Sequence, residues 1–296
     1  MNESVKSMLL AARPKTLPAA IVPVVLGGGL AYLLSGTVDL SLSFATLMGA
    51  IWIQIATNFF NDAIDSDKGA DTEQRLGPVR ATASGLLSRT QVYGLACFSL
   101  MIASVFGVLL IFECGWPILA IGIPSMYLCY GYTGGPVPLA YRGLGEVFVI
   151  GFFGVIAVMG SVFVQLGTWP IEGLVLGIQS GLLSAVLISI NNLRDCEEDV
   201  LNDKRTLAVK FGVKGGKAII LLELFTALCV SLWWCSLGYT NLMLASLSYA
   251  PIALWIAIKI VLEEPSAKYN AYLAIAGVQL MVFGLIFSLA CAGMIL

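Results

Sequence analysis

Residues Asn58 to Asp71 read N-F-F-N-D-A-I-D-S-D-K-G-A-D and close an apolar run over 43–64. Helical spacing puts Asn58, Asp62 and Asp65 on one face of the last turns of that run. A second stretch, Asn191 to Asp199, reads N-N-L-R-D-C-E-E-D and also closes an apolar run. The two match in register, with Asn58 to Asn191 and Asp62 to Asp195 both 133 positions apart. Only 11% of the residues are charged, so two copies of an Asn-rich acid cluster ask for a shared ligand. Crowded carboxylates repel and hold protons unless a cation neutralises them. At ~4 Å and an effective dielectric near 20, one unit-charge pair is worth roughly 4 kcal/mol, and a divalent ion roughly doubles that. Hard oxygen donors point to Mg²⁺ rather than to zinc.

Outside these clusters the chain is greasy. At 58% hydrophobic residues and a mean hydropathy of +0.91, it reads as an all-α polytopic membrane protein, one domain over 1–296, and not as a soluble or nucleic-acid-binding one. Met1 to Leu17 carries Lys6, Arg13 and Lys15 with no small-residue cleavage site, so no cleavable leader is expected. The seven cysteines are scattered without a C-x-x-C and read as packing residues. No histidine is present, which excludes an imidazole base or ligand.

Crossing ~30 Å of hydrocarbon takes roughly 20 apolar residues. Nine runs approach this, over 17–35, 43–64, 91–112, 116–133, 144–166, 171–190, 216–236, 242–262 and 270–295. The fourth is short and holds Pro124. The run Gly27-Gly28-Gly29 and the ridge Gly173, Gly177, Gly181 predict close helix approach. All 16 Lys and Arg fall in the N-terminal segment or around the loops after even-numbered spans. The positive-inside rule then gives a cytoplasmic N-terminus and an outer C-terminus. Trp116, Trp169, Trp233 and Trp234 are expected as a belt near the outer interface. The 133-residue offset equals four spans. It predicts two four-helix repeats, about 12–142 and 143–268, plus a ninth helix over 270–295, with both acid clusters facing one central cavity on the cytoplasmic side.

Each cluster runs into a segment rich in bases. Arg75 and Arg80 follow the first; Lys204, Arg205 and Lys210 follow the second. Acids that hold Mg²⁺, beside bases that touch phosphate oxygens, suit a diphosphate leaving group. Apolar spans around that kit suit a long greasy tail, which makes a polyprenyl diphosphate the natural substrate.

These stretches resemble the UbiA-type intramembrane prenyltransferases. The likeness rests on Ala12-Arg-Pro-Lys-Thr-Leu-Pro18, Asn58 to Asp71, and Gly77-Pro-Val-Arg-Ala-Thr-Ala-Ser-Gly85. It continues through Tyr132-Thr-Gly-Gly-Pro-Val-Pro-Leu139, Gly143-Leu-Gly-Glu146, Asn191-Asn-Leu-Arg-Asp195 with Asp199, and Lys204-Arg-Thr-Leu-Ala-Val209. The chain departs from the commonest first motif at Gly69, with Asp71 two residues further on. The loop motifs are most similar to the branch that prenylates 1,4-dihydroxy-2-naphthoate with loss of diphosphate and CO₂, in menaquinone or phylloquinone synthesis. The alternatives are another aromatic acceptor (4-hydroxybenzoate, homogentisate or 1,4-dihydroxy-6-naphthoate) and, from another class, a cation-coupled transporter. The resemblance implies a bacterial cell-membrane enzyme in which Mg²⁺ is held by Asp62, Asp65, Asp71, Asp195 and Asp199. It implies diphosphate contacts from Asn58, Asn191, Asn192, Arg75, Arg80, Arg194 and Lys204. Tyr132, Tyr141, Arg142 and Glu146 are the implied acceptor-side candidates. Glu223, deep in the seventh span, is expected to pair with a base such as Lys217 or to stay protonated.

Overall fold

A computed structural model describes residues 3–69, 76–77 and 80–295; Asp71 and Arg75 lie outside the described residues. Every regular element among the described residues is helical. In chain order these are α1 (Glu3–Ala12), α2 (Pro18–Ser35), α3 (Leu40–Asp67), α4 (Arg89–Cys114), α5 (Trp116–Gly131) and α6 (Gly145–Leu166). They continue as α7 (Ile171–Arg194), α8 (Cys196–Leu201), α9 (Leu207–Ser236), α10 (Thr240–Leu262) and α11 (Tyr269–Cys291).

Eight of these helices are long and apolar enough to cross a membrane. The predicted fourth span is α5, whose 16 residues reach only about 24 Å at 1.5 Å per residue, so the nine predicted spans are not all matched. Even so, α5 connects the two ends of the bundle. Ile118 packs with Leu110 and Val164 at one end, and Thr133, just beyond α5, bonds Asn61 near the acid end of α3.

Local chemistry sets the ends of the helices that carry the acids. Asp39 caps α3 by accepting from the Ser41 and Leu42 amides at 2.7 and 2.9 Å. Gly69, with φ of 67°, follows the end of α3. The segment after each acid cluster terminates in a cap, the Ser88–Gln91 capping box of α4 and Thr206 of α9.

The glycine predictions are met except at Gly28, where a Cβ would meet nothing within 4 Å. A Cβ on Gly154 would lie 2.4 Å from Gly177 O, and one on Gly181 would lie 2.6 Å from Ile150 O. Here α6 takes a wider π turn over Ile150–Ile156 and lies directly against α7. Gly27 meets α6 at Ser161, and Gly29 meets α11 at Ser288. Helix α7 is accordingly the central one, with 72% of its most apolar window buried, against 22% for α3 and for α4.

Several expectations change. The N-terminal segment forms α1, which packs on α3. Helix α9 breaks at Gly212, with φ of 70°, and α10 is interrupted between Ser246 and Ala250. Trp234 is no belt residue: it is fully buried, with its ring 5.1 Å from that of Phe287. Glu223 accepts from the Ser189 hydroxyl at 2.8 Å, while Lys217 pairs with Glu264 at 2.9 Å instead.

Candidate active site

The acid ends of α3 and α7 meet over one cavity of about 200 Å³, lined by Asn58, Asp65, Arg80, Asn191, Asn192 and Lys204. Residues from both duplicated stretches therefore share one chamber. Asp62, Asp195 and Asp199 are buried and set behind its wall.

Each acid has its own partner. Asp65 accepts from Arg80 Nη2 at 3.0 Å and from the Tyr141 hydroxyl at 2.9 Å. Asp195 is gripped by Arg194 through Nε at 2.7 Å and Nη2 at 2.6 Å. Asp199 Oδ1 accepts from Lys204 Nζ at 3.1 Å, while its Oδ2 is buried and finds no partner among the described residues. Asp62 holds a loop: Oδ1 accepts from the Thr82 amide at 2.9 Å and hydroxyl at 2.6 Å, and Oδ2 from the Ala81 amide at 3.2 Å. Among the described residues no three acids converge closely enough to coordinate one ion, because bases and backbone amides hold them apart.

The charges nevertheless act on one another. Burial pushes the Asp199 carboxyl up to about 6, Lys204 opposing and Asp195 and Asp65 adding to the shift. Burial alone would lower the Lys204 ammonium, but Asp199, Asp65 and Asp195 around it leave it above its ordinary value. One lysine from the second stretch thus feels acids from both.

The asparagines position their surroundings. Asn58 Nδ2 donates to Ala12 O at 2.8 Å and to Thr16 Oγ1 at 2.9 Å, and its Oδ1 accepts from Gln54 Nε2 at 3.2 Å. This pins the turn that carries Arg13 and Lys15 into the cavity wall. Asn191 Oδ1 accepts from Arg194 Nη2 at 2.9 Å. Asn192 Nδ2 donates to Glu146 Oε1 at 2.9 Å, so Glu146 sits behind Asn192 rather than on the wall. Arg194 is buried off the chamber wall and donates to Asn270 Oδ1 at 2.7 Å; Asn270 Nδ2 in turn donates to Leu76 O at 2.8 Å.

Of the acceptor-side candidates, Tyr132 is on the wall, with its ring 5.2 Å from that of Phe148. Tyr141 is fixed by Asp65 and lies 3.6 Å beneath Lys68 Nζ. Arg142 is exposed, its Nη2 3.4 Å from Pro136 O, and is not brought to the cavity. Arg13 and Lys15, counted above among the charges that orient the chain, line the cavity, as do Gln54, Asn61 and Thr133, for which the sequence gives no site role. Their signal was the Arg-Pro-Lys-Thr turn and the second Asn of N-x-x-N, whose partners lie far off in the chain.

A second cavity, again about 200 Å³, adjoins the first and shares Ala19, Thr57, Phe148 and Phe153 with it. Its wall is almost wholly apolar and is built by α2 to α6.

A membrane bundle whose acid-and-base mouth opens onto an apolar chamber has the build of an intramembrane transferase for molecules with a polar head and a greasy tail. The chain belongs to the UbiA prenyltransferase family, which it matches over residues 20–281; it is an integral membrane protein. It is similar to the 1,4-dihydroxy-2-naphthoate octaprenyltransferase of Bacillus subtilis (strain 168), 36% identical over 208 residues, covering 70% of this chain and 67% of that one. The protein of that name from Haemophilus influenzae is 35% identical over 239 residues, 77% of each chain. Among solved structures, a UbiA homologue from Archaeoglobus fulgidus bound to GPP and Mg²⁺ shares the fold, with a TM-score of 0.70 at 13% identity over 95% of this chain and 99% of that one.

Proposed function

We propose that the protein transfers a polyprenyl group from a polyprenyl diphosphate to 1,4-dihydroxy-2-naphthoate, releasing diphosphate and CO₂. The observation that carries this reading is the meeting of the two cavities: the charged mouth and the apolar chamber adjoin and share Ala19, Thr57, Phe148 and Phe153. A diphosphate fits the first, an isoprenoid tail the second. The names of the relatives favour the naphthoate acceptor. The transporter alternative finds no support.

The donor atoms suit a hard divalent cation. They are all oxygens, they come from both stretches, and Asp199 Oδ2 is buried without a partner among the described residues. Asp65 and Asp199 would hold Mg²⁺, with Asn191 beside them, while Asp195 stays gripped by Arg194. Bound there, the ion would stabilise charge building on the departing diphosphate. Arg80 and Lys204 pair with acids here, yet their chemistry suits phosphate equally. An arriving diphosphate would draw them off Asp65 and Asp199 and leave those carboxylates to the cation.

The step balances without a base. The donor's C1–O bond breaks with its electron pair going to the diphosphate, and the ring carbon bearing the carboxylate forms a bond to C1. The carboxylate carbon then leaves as CO₂, and its bonding pair restores the aromatic ring. No proton must be removed from that carbon, which agrees with a chain lacking histidine. The apolar walls keep water from the allylic cation.

We place the enzyme in a bacterial cell membrane, with the mouth and N-terminus cytoplasmic. We also read residues about 12–142 and 143–268 as paired four-helix units, which the packing of α3 on α4 and of α7 on α9 supports. The test is purified protein with Mg²⁺, a prenyl diphosphate and a panel of aromatic acids. Pyrophosphate release, with a prenylated product short by one CO₂ in the mass spectrum, is expected for the naphthoate alone. Release with another acceptor only, or none with any, overturns the assignment.

A further inference from the structure

The apolar cavity has a definite far end. Leu110, Ile118 and Val164 line it there and belong to a packed cluster with Ala45 and Phe163. Along α6 the wall runs from Phe148, shared with the charged mouth, to Val164. Sixteen steps at 1.5 Å make that about 24 Å. With four C–C bonds of about 1.5 Å per isoprene unit, contracted by their zigzag, this is room for roughly five units.

Two glycines in this wall have no packing reason to be glycine. Gly107 on α4 and Gly122 on α5 both line the cavity, and a Cβ at either would meet nothing within 4 Å. Gly27 and Gly154 differ, since a Cβ there would strike backbone. In a helix interior glycine costs about 1 kcal/mol against alanine. The positions therefore keep a helix-weakening residue where the only thing gained is open lumen.

We propose that Gly107 and Gly122 set the length of prenyl tail the enzyme accepts, by holding the lumen open between the charged mouth and the Leu110–Ile118–Val164 end. This rests on the apolar cavity holding the donor's tail, as in the function proposed above. A leucine at either position projects into the lumen and stops a long tail while leaving room for a short one. Because a Cβ at either position meets nothing within 4 Å and neither residue lines the mouth, Gly107→Leu and Gly122→Leu are expected to fold and to keep the mouth intact.

The experiment measures wild type, Gly107→Leu and Gly122→Leu with geranyl diphosphate and with geranylfarnesyl diphosphate, whose longer tail matches the length of the lumen. In parallel it measures binding of the matching thiolodiphosphates, which cannot transfer their tail, by calorimetry in detergent without acceptor. In both variants the geranylfarnesyl-to-geranyl ratio, for turnover and for affinity, is expected to fall about tenfold or more. An unchanged affinity ratio overturns the inference, whether the two affinities are both retained or both reduced. Discrimination in binding, with no turnover of the naphthoate by wild type, keeps the length inference and removes the acceptor assignment instead.

Discussion

Asp62 and Asp195 stand at equivalent places in the duplicated stretches but do different work. Asp62 satisfies two backbone amides and one hydroxyl of the segment after α3, and each buried donor left unpaired costs about 1–3 kcal/mol. In Asp62→Ala, limited proteolysis is expected to cut faster within 76–85, with turnover down about a hundredfold or more. Thr82→Val, which removes one donor of three, stays within about tenfold of wild type. Asp195→Ala is expected to remove turnover and also to lower the melting temperature in detergent, because it strands the buried Arg194 guanidinium, a loss of about 3–5 kcal/mol. Asp65→Asn keeps the Tyr141 contact but removes the charge paired with Arg80, so turnover is expected to fall and the melting temperature to drop less than in Asp195→Ala. The spacing of these acids was legible because one helix face fixes it. What each one touches was not, since the partners of Asp62 and Asn58 come from Ala81, Thr82, Ala12 and Thr16, which only the fold brings near.

Among the elements, the contact of α6 with α7 carries the sharpest prediction. A side chain at Gly154 meets the backbone of Gly177 and Gly181, which cannot rotate out of the way. Gly154→Leu should depress the melting temperature strongly, overpacking of this kind costing at least about 1–3 kcal/mol. At Gly28, where a Cβ meets nothing within 4 Å, Gly28→Ala should be neutral or stabilising by up to about 1 kcal/mol. Parallel thermal denaturation of the two variants checks both. The glycine ridge could be read from the chain, because small residues at helical spacing have few other uses. The π turn, the break at Gly212 and the gap inside α10 could not, since hydropathy registers how apolar a run is and not where its backbone bends. Trp234 misled for the same reason: position near a span end suggested an interface, while Phe287, from the last helix, covers it.

At the scale of the whole molecule, the proposed orientation depends on α5. Helix α5 runs from the Leu110–Ile118–Val164 end back to the mouth, so the chain should cross the membrane an odd number of times and end outside. A reporter fused after Leu296 is expected on the outer side; a cytoplasmic signal would mean that α5 dips in and returns.

A single amide joins distant parts of the rim. Asn270, at the start of α11, accepts from Arg194 and donates to the Leu76 carbonyl. The strand of chain leaving the first acidic helix is thereby roped to the second through a residue belonging to neither. A shift at either acidic stretch is therefore passed to the other through this one side chain.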